Sequence, residues 1–328
     1  MSASDPVGTR PPDGFVEGEN PENASGGRVP PESKKRQIIL ITGVALAMYV
    51  GVRLLPTGSN VNHMDFRVEG KGALEFCDPA NPQFIPVVAA RSPVVMTLQS
   101  ELAPAKEETV EFTLTLRTAS GKPIGPADLL VAHTRKLHLL VVDPTLTDYQ
   151  HIHPEPGRRD GEWKFTLRPA RSGLYRVFAD FTPVATQRGL YASADFNVQG
   201  PVATVITNAS TSYQERGYNF ELVLPAIVHA GQPTVMRFRI ESQGADKRPV
   251  PLEPVMGAFA HLVTFDETRS GFAHLHPMEN DLAKPPDSLR PVLNFKITIP
   301  RSGRYVIWAQ VKIDGQEIFA PYWVDVLP

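Results

Sequence analysis

Residues 136–154 read KLHLLVVDPTLTDYQHIHP, and residues 259–277 read FAHLVTFDETRSGFAHLHP, which aligns with the first stretch without a gap. A second pair of stretches matches in the same way, with KFTLRPARSGLYRVFADF at 164–181 and NFKITIPRSGRYVIWAQV at 294–311. Self-similarity of this kind indicates an internal duplication. The sequence therefore predicts two homologous domains, over residues 92–200 and 201–328.

Each domain has the residue pattern of antiparallel β-structure. The stretch VEFTLTL at 110–116 alternates apolar and polar residues, as expected for a strand with one buried face. The runs at 174–181 and 304–311 are rich in β-branched and aromatic residues, which favour strands. We predict an all-β fold of tandem immunoglobulin-like or cupredoxin-like β-sandwiches, each of about seven short strands.

The N-terminal part of the chain differs from these domains in composition. Residues 1–36 are rich in Pro, Gly, Ser and Asn and are predicted to be a disordered cytoplasmic tail. Residues 37–55 form an apolar run that, as a helix, would be about 28 Å long, close to the hydrocarbon thickness of a bilayer. The basic residues 34–36 place the tail in the cytoplasm and the C-terminal bulk outside it. A cleaved signal peptide is the alternative to this transmembrane anchor.

Residues 56–91 have a less clear secondary-structure pattern than the two domains. They are predicted to be a linker from the anchor to the first domain, with room for extra strands. Cys77 is the only cysteine in the chain, which excludes an intrachain disulfide. Burial, pairing with another chain and binding of a soft metal remain open for this thiol.

The histidines are concentrated on the two repeated hairpins. A regular hairpin across the turn DPTLTD places His138 opposite His153 and Leu140 opposite His151. His151 and His153 then share one face of their strand, about 6–7 Å apart. Directly opposed residues have Cβ atoms about 5 Å apart. His138, His151 and His153 are therefore predicted to converge on one point.

The second domain gives the same triangle independently, with His261 opposite His276 and His274 two residues away. Three imidazoles around one point suit Cu(II), Zn(II) or Ni(II), and we expect copper first and zinc second. A fourth ligand could come from His133 in the first domain and from Met256 in the second, if the chain bulges there. A methionine ligand would favour copper in the second domain.

The same histidines also allow a structural interpretation, as buried corners retained through the duplication. Clustered imidazoles without a metal would disfavour their charged forms, which is an unfavourable design for a purely structural element. Asp143 and Asp266 follow the first strand of each hairpin, and their side chains are expected to stabilise the turn. Orientation of a ligand histidine is their alternative role.

Charge and motifs exclude several classes of function. The chain has 33 basic and 35 acidic residues, and no basic cluster follows the apolar run, so a nucleic-acid partner is not expected. We find no nucleophile elbow, P-loop, dinucleotide fingerprint or His-Glu-x-x-His motif. No catalytic residue is identified from the sequence.

The repeated pattern of LHLLVVD, QHIHP and RSGLYRVFADF resembles a group of bacterial secreted or membrane-anchored proteins. These carry a His-x-His-Pro hairpin in a β-sandwich and are similar to YtkA-like domains. The resemblance covers residues 92–328. It implies a Gram-negative periplasmic or extracellular setting and a connection with heavy metals, chiefly copper. Together with the apolar run, this predicts a single-pass protein of the bacterial inner membrane with its C-terminal bulk in the periplasm. It implies no catalytic residues.

Three functional hypotheses follow. The first is a periplasmic metal-binding protein with one copper or zinc ion in each domain. The second is an interaction module without enzymatic activity, in which the histidines are structural and the sandwiches present strands or loops to a periplasmic protein partner. The third is a metalloenzyme, because three histidines leave an open metal position, although no general base is evident beside them.

Overall fold

The computed structural model describes residues 31–54, 61–66, 82–202, 204–205, 207–244, 248–279 and 281–328. Residues 1–30 of the tail predicted over 1–36, and Cys77, lie outside these ranges, whereas residues 31–36 are helical and not disordered as predicted. The apolar run is helical: α1 spans Pro31–Leu54, so the basic residues 34–36 are part of the helix. Its segment Glu32–Val52 is long and apolar enough to cross a membrane, a property that signal sequences share.

The first β domain contains eight strands in two sheets. They are β1 (Val94–Ser100), β2 (Val110–Thr118), β3 (Leu137–Val142), β4 (Tyr149–Ile152), β5 (Glu155–Pro156), β6 (Glu162–Leu167), β7 (Gly173–Phe181) and β8 (Leu190–Val198). One sheet has the order β1-β2-β6-β5 and the other β4-β3-β7-β8. Short 3₁₀ helices cover His63–Phe66 and Pro126–Asp128.

The second β domain repeats this plan. Its strands are β9 (Ser212–Glu215), β10 (Tyr218–Val223), β11 (Val228–His229), β12 (Pro233–Ser242), β13 (Leu252–Glu253), β14 (His261–Asp266), β15 (Phe272–Leu275), β16 (Val292–Thr298), β17 (Gly303–Ile313) and β18 (Gln316–Leu327). One sheet has the order β16-β12-β10-β9. The other has the order β11-β18-β17-β14-β15, and β13 pairs with β17. The predicted tandem all-β fold is confirmed.

Each domain has its own apolar core between its two sheets. In β2 the alternation is as predicted: Val110, Phe112, Leu114 and Leu116 are buried, whereas Glu111 is exposed. Strands that alternate in this way have one face in the core and one in solvent. The outer sheets β1-β2-β6-β5 and β16-β12-β10-β9 therefore have one face packed in the core and one face in solvent.

The inner sheets are buried on both faces. All six residues of β3 are buried. Leu139 and Val141 belong to the core of their own domain, whereas Leu140 and Val142 pack in a separate cluster with residues of the second domain, including Phe265. Continuous apolar strands are what burial on both faces requires. The sheet containing β3 and the sheet containing β14 thus form the interface between the domains.

Aromatic side chains fill that interface. Phe178 of β7 stacks on Phe265 of β14, with ring centroids 5.9 Å apart and planes at 22°. Tyr149 of β4 lies 5.8 Å from Trp308 of β17. Rings at these separations gain about 0.5–1.5 kcal/mol per pair beyond their area burial. The two domains are consequently joined by an extended apolar contact.

The described parts of the predicted linker contact both domains. Val61 and Phe66 are buried in the core of the first domain. The Ile85 backbone N–H donates to the Phe272 carbonyl of the second domain at 2.8 Å. In the described part of residues 56–91, the chain forms isolated β-bridges, including those of Gln83 and Ile85, where extra strands were expected.

Candidate metal centre

The hairpin register that brings the histidines together is as predicted. In the first domain Leu140 pairs with His151 and Leu139 with Ile152. In the second domain Leu262 pairs with Leu275. Both ladders place the histidines on the sheet face that is directed toward the other domain. Along each strand the histidines alternate with residues that point into the core of their own domain.

The turn of the first hairpin is fixed by Asp143, as expected. Its buried carboxylate accepts hydrogen bonds from the backbone N–H groups of Thr145, Thr147 and Asp148, each at 2.8 Å. In the second hairpin the Asp266 carboxylate accepts from one backbone N–H group, at 2.7 Å. The turn therefore sets the register on which each histidine group depends.

Replacing Asp143 with alanine should loosen this turn. The substitution removes one buried acceptor from three amides, and a hydrogen bond to a charged group contributes about 1.5–3 kcal/mol. We expect the free energy of unfolding to fall by at least this amount in denaturant titrations. Asp281→Ala, which alters an exposed turn, should have a smaller effect. Equal effects of the two substitutions would contradict this role.

The first histidine group consists of His138, His151 and His153. One ring nitrogen from each lies within 4.8 Å of the other two. His138 Nδ1 is 3.2 Å from His151 Nε2 and 3.2 Å from His153 Nε2. Sheet alternation and the hairpin pairing together produce this convergence, with His138 on β3 and His151 on β4.

The second group has the same arrangement. His261, His274 and His276 each offer a ring nitrogen within 4.8 Å of the others. His261 Nδ1 is 3.1 Å from His274 Nε2. The Nε2 atom of His276 is buried and has no hydrogen-bond partner among the described residues.

Backbone carbonyls orient the first histidine of each group. His138 Nε2 lies 3.0 Å from the Ala132 carbonyl, and His261 Nε2 lies 2.9 Å from the Val255 carbonyl. A carbonyl only accepts hydrogen bonds, so Nε2 of each ring carries the proton. The Nδ1 atoms that face the groups therefore present lone pairs.

Side chains from the opposite domain orient the second histidine of each group. His151 Nδ1 donates to Gln310 Oε1 at 2.9 Å, and Gln310 Nε2 donates to Glu317 at 2.7 Å. His274 Nδ1 lies 3.1 Å from Asp180 Oδ2. When Gln310 Oε1 and the ionised form of the Asp180 carboxyl group accept these bonds, the Nε2 atoms of both histidines are left unprotonated.

The hydrogen bonds thus leave lone pairs directed at each other. His138 Nδ1 faces His151 Nε2, and His261 Nδ1 faces His274 Nε2, with no proton assigned between the members of either pair. Facing acceptors at these distances repel each other. A cation bound between the nitrogens would turn this repulsion into attraction.

Burial keeps the imidazoles neutral. Desolvation, reinforced by the neighbouring histidines, lowers the pKa of His138 and His153 to about 4, that of His261 to about 3 and that of His276 to about 2. It also lowers the pKa of His151 and His274 far below the usual range. Neutral imidazole is the form that binds metal ions.

The two groups are neighbours across the domain interface. The rings of His151 and His274 have centroids 5.3 Å apart, and those of His138 and His274 are 5.8 Å apart. The six histidines therefore form one continuous cluster with contributions from both domains.

A family comparison covers the two domains separately. The model of the family described as Domain of unknown function (DUF8832) matches residues 90–200 and 212–327. The chain belongs to this family. Its two DUF8832 repeats carry the two histidine groups, whereas the expected similarity to YtkA-like domains is not confirmed.

Comparison with curated proteins found no match. Among solved structures, a protein of Corynebacterium diphtheriae described as membrane-anchored aligns at 10% identity and a TM-score of 0.24, over 71% of this chain and 59% of that one. The native form of Escherichia coli alpha-2-macroglobulin aligns at 11% identity and a TM-score of 0.22, over 72% of this chain and 17% of that one. This chain therefore spans only part of the length of these neighbours.

The predicted fourth ligands lie on equivalent loops of the two DUF8832 repeats. His133 and Met256 both have left-handed backbone conformations, with φ of 48° and 49°. The His133 ring lies 3.8 Å from the His276 ring of the other repeat but 6.1 Å from His138. His133 thus contacts the second group rather than the first, and neither His133 nor Met256 belongs to a three-histidine group.

A cavity of about 720 Å³ gives access to the cluster. His138 of the first DUF8832 repeat and His274 and His276 of the second line its wall, together with His133 and Asp180. Burial raises the pKa of Asp180 to about 7. An ion that enters this cavity meets histidines of both groups.

Sequence reasoning missed Asp180 and Gln310. They occupy equivalent positions in the two repeats, within the runs FADF and WAQV. A polar residue in an otherwise apolar strand was the available signal, since buried polar groups need partners. Their partners lie in the other repeat, which pairing within one hairpin cannot indicate.

Proposed function

We propose that this protein is a membrane-anchored metal-binding protein in which each DUF8832 repeat holds one transition-metal ion. The ligands are His138, His151 and His153 in the first repeat. In the second repeat they are His261, His274 and His276. Three imidazole nitrogens without a thiolate suit copper first and zinc second.

The facing lone pairs carry this proposal. In each group two ring nitrogens with protons assigned elsewhere lie 3.1–3.2 Å apart. A purely structural cluster would place a donor against each acceptor. His153 Nε2, 3.2 Å from His138 Nδ1, can supply such a donor to His138, but not to the lone pair of His151 Nε2. The unpartnered Nε2 of His276 and the lowered pKa values of the group point to the same occupant, a cation.

The location we propose is the bacterial inner membrane, with α1 as a single-pass anchor and the β domains in the periplasm. The length and apolar character of Glu32–Val52 support an anchor. The basic residues 34–36 at its N-terminal end support a cytoplasmic N-terminus. We further propose His133 and Met256 as auxiliary ligands, because they lie on equivalent loops with left-handed backbone conformations and the His133 ring contacts His276.

Metal analysis of the detergent-solubilised full chain, purified without a histidine tag, tests the function. We expect two equivalents of copper or zinc after dialysis. The pairs His151→Ala/His153→Ala and His274→Ala/His276→Ala should each leave one equivalent, because each removes two of three ligands. All four substitutions together should leave none.

His63 and His229, two of the three histidines outside the six-histidine cluster, provide the matched control. His63→Ala/His229→Ala removes the same number of imidazoles and should retain two equivalents. Metal content of the wild-type chain no higher than that of the fourfold variant would overturn the proposed function.

A further inference from the structure

We infer that Asp180 makes the metal site of the second DUF8832 repeat the tighter of the two, while Gln310 leaves the first site weaker. This inference rests on the proposed metal-binding function and deepens it. It assigns a positioning role, which sets metal affinity, to two residues that are not ligands themselves. Each of the two residues acts on the metal site of the other repeat.

The two hydrogen bonds that run between the repeats, Asp180–His274 and Gln310–His151, are placed symmetrically. Asp180 pairs with His138 across β7 and β3, and Gln310 pairs with His261 across β17 and β14. Each therefore lies beside the first histidine of its own repeat. The hydrogen bonds nevertheless reach across the interface, from Asp180 to His274 and from Gln310 to His151.

The acceptors of these two bonds differ in charge, because Asp180 is a carboxylate and Gln310 is a neutral amide. A carboxylate that accepts the second N–H of a ligand imidazole fixes the ring and raises its basicity, and such partners are worth about 10–100-fold in metal affinity. It also places a negative charge near the bound cation in a buried site. Gln310 fixes the ring of His151 in the same way but carries no charge. The repeats thus have the same three ligands and unequal sites.

The hydrogen bonds between the repeats also couple the two sites to the domain interface. Gln310 is held by Glu317 of its own repeat, so the orientation of His151 depends on the position of the second repeat. His274 depends likewise on the first repeat through Asp180. A ligand that binds only the associated arrangement stabilises it. Metal binding should therefore hold the two repeats together.

The first arm of the test substitutes Asp180→Asn in the detergent-solubilised full chain. Zn(II) affinity is measured by competition with a chromogenic chelator in two backgrounds. In His151→Ala/His153→Ala, which keeps only the second site, we expect affinity to fall about 10–100-fold. In His274→Ala/His276→Ala, which keeps only the first site, affinity should fall much less, because there Asp180 acts only through its charge from beside His138. Asp195→Asn, a carboxylate on the same sheet paired with Arg176, is the control and should alter neither.

The second arm moves the charge to the other site. Gln310→Glu is combined with Glu317→Gln, which conserves the net charge and keeps a donor and an acceptor at the two positions. In the background that keeps only the first site, Zn(II) affinity should rise by about the same 10–100-fold. This gain cannot result from misfolding.

The outcomes separate the two claims. Wild-type sites of equal affinity, an equal loss at both sites in Asp180→Asn, or no gain in the second arm would overturn the inference and leave metal binding intact. Absence of Zn(II) and Cu(II) binding in the wild-type chain would overturn the proposed function itself.

Discussion

The metal-free protein is expected to lose stability steeply as the pH falls from 6.5 to 4. Burial lowers the pKa of His138 and His153 to about 4 and that of His261 and His276 further, from an ordinary value of 6.5. In this window the unfolded chain binds more protons than the folded one. Each such histidine therefore costs about 1.4 kcal/mol of stability per pH unit.

Asp180 opposes this trend. Burial raises the pKa of its carboxyl group to about 7, so the folded protein binds that proton more readily than the unfolded chain. Asp180 therefore contributes stability as the pH falls through 7. One carboxyl group acts against the imidazoles of two groups, and the net effect remains a loss on acidification.

Denaturant titrations of chelator-treated protein at a series of pH values measure this dependence. His276→Gln, which removes one buried imidazole, should flatten the curve by up to about 1.4 kcal/mol per pH unit. Added Zn(II) should raise the stability at neutral pH, because the proposed sites are assembled only in the folded form. A metal-free protein with constant stability between pH 6.5 and 4 would contradict the burial of neutral histidines.

Phe178→Ala should also lower the free energy of unfolding. Phe178 is fully buried at the interface between the repeats, where it contacts Phe265 and Phe272 with ring centroids 5.9 and 5.3 Å away. Removal of a buried phenylalanine typically costs about 3–5 kcal/mol. Both proposed metal sites should weaken as well, because the hydrogen bonds that orient His151 and His274 cross this interface.

Leu174→Ala is the matched control for this prediction. Leu174 lies on the same strand but is 44% exposed, so its truncation should change the free energy of unfolding far less. Denaturant titration and metal competition on both variants provide the comparison. If Phe178→Ala weakens neither the fold nor metal binding beyond Leu174→Ala, the interface does not support the sites.

Much of the fold could be predicted from the sequence because it depends on local patterns. The alternation in 110–116 identified a strand with one buried face, and the repeat identified the second domain. The hairpin register followed from the turn, so Leu140 opposite His151 was correct. These features depend on residues close in sequence or directly opposed in a hairpin.

The arrangement between the repeats could not be predicted in this way. The apolar runs at 137–142 and 261–265 allow burial on both faces, but they do not identify which surface covers the second face. The crossed bonds of Asp180 and Gln310 and the contact of His133 with His276 all depend on that docking. Tertiary packing between repeats, rather than local propensity, determines these contacts.

X-ray absorption spectroscopy of the metal-loaded full chain tests the central claim most directly, namely that three imidazoles of each repeat bind one ion. With copper or zinc bound, the spectrum should show about three imidazole nitrogens per ion, at about 2.0–2.1 Å for zinc. A shell dominated by oxygen, with no more than one imidazole per ion, would contradict the account.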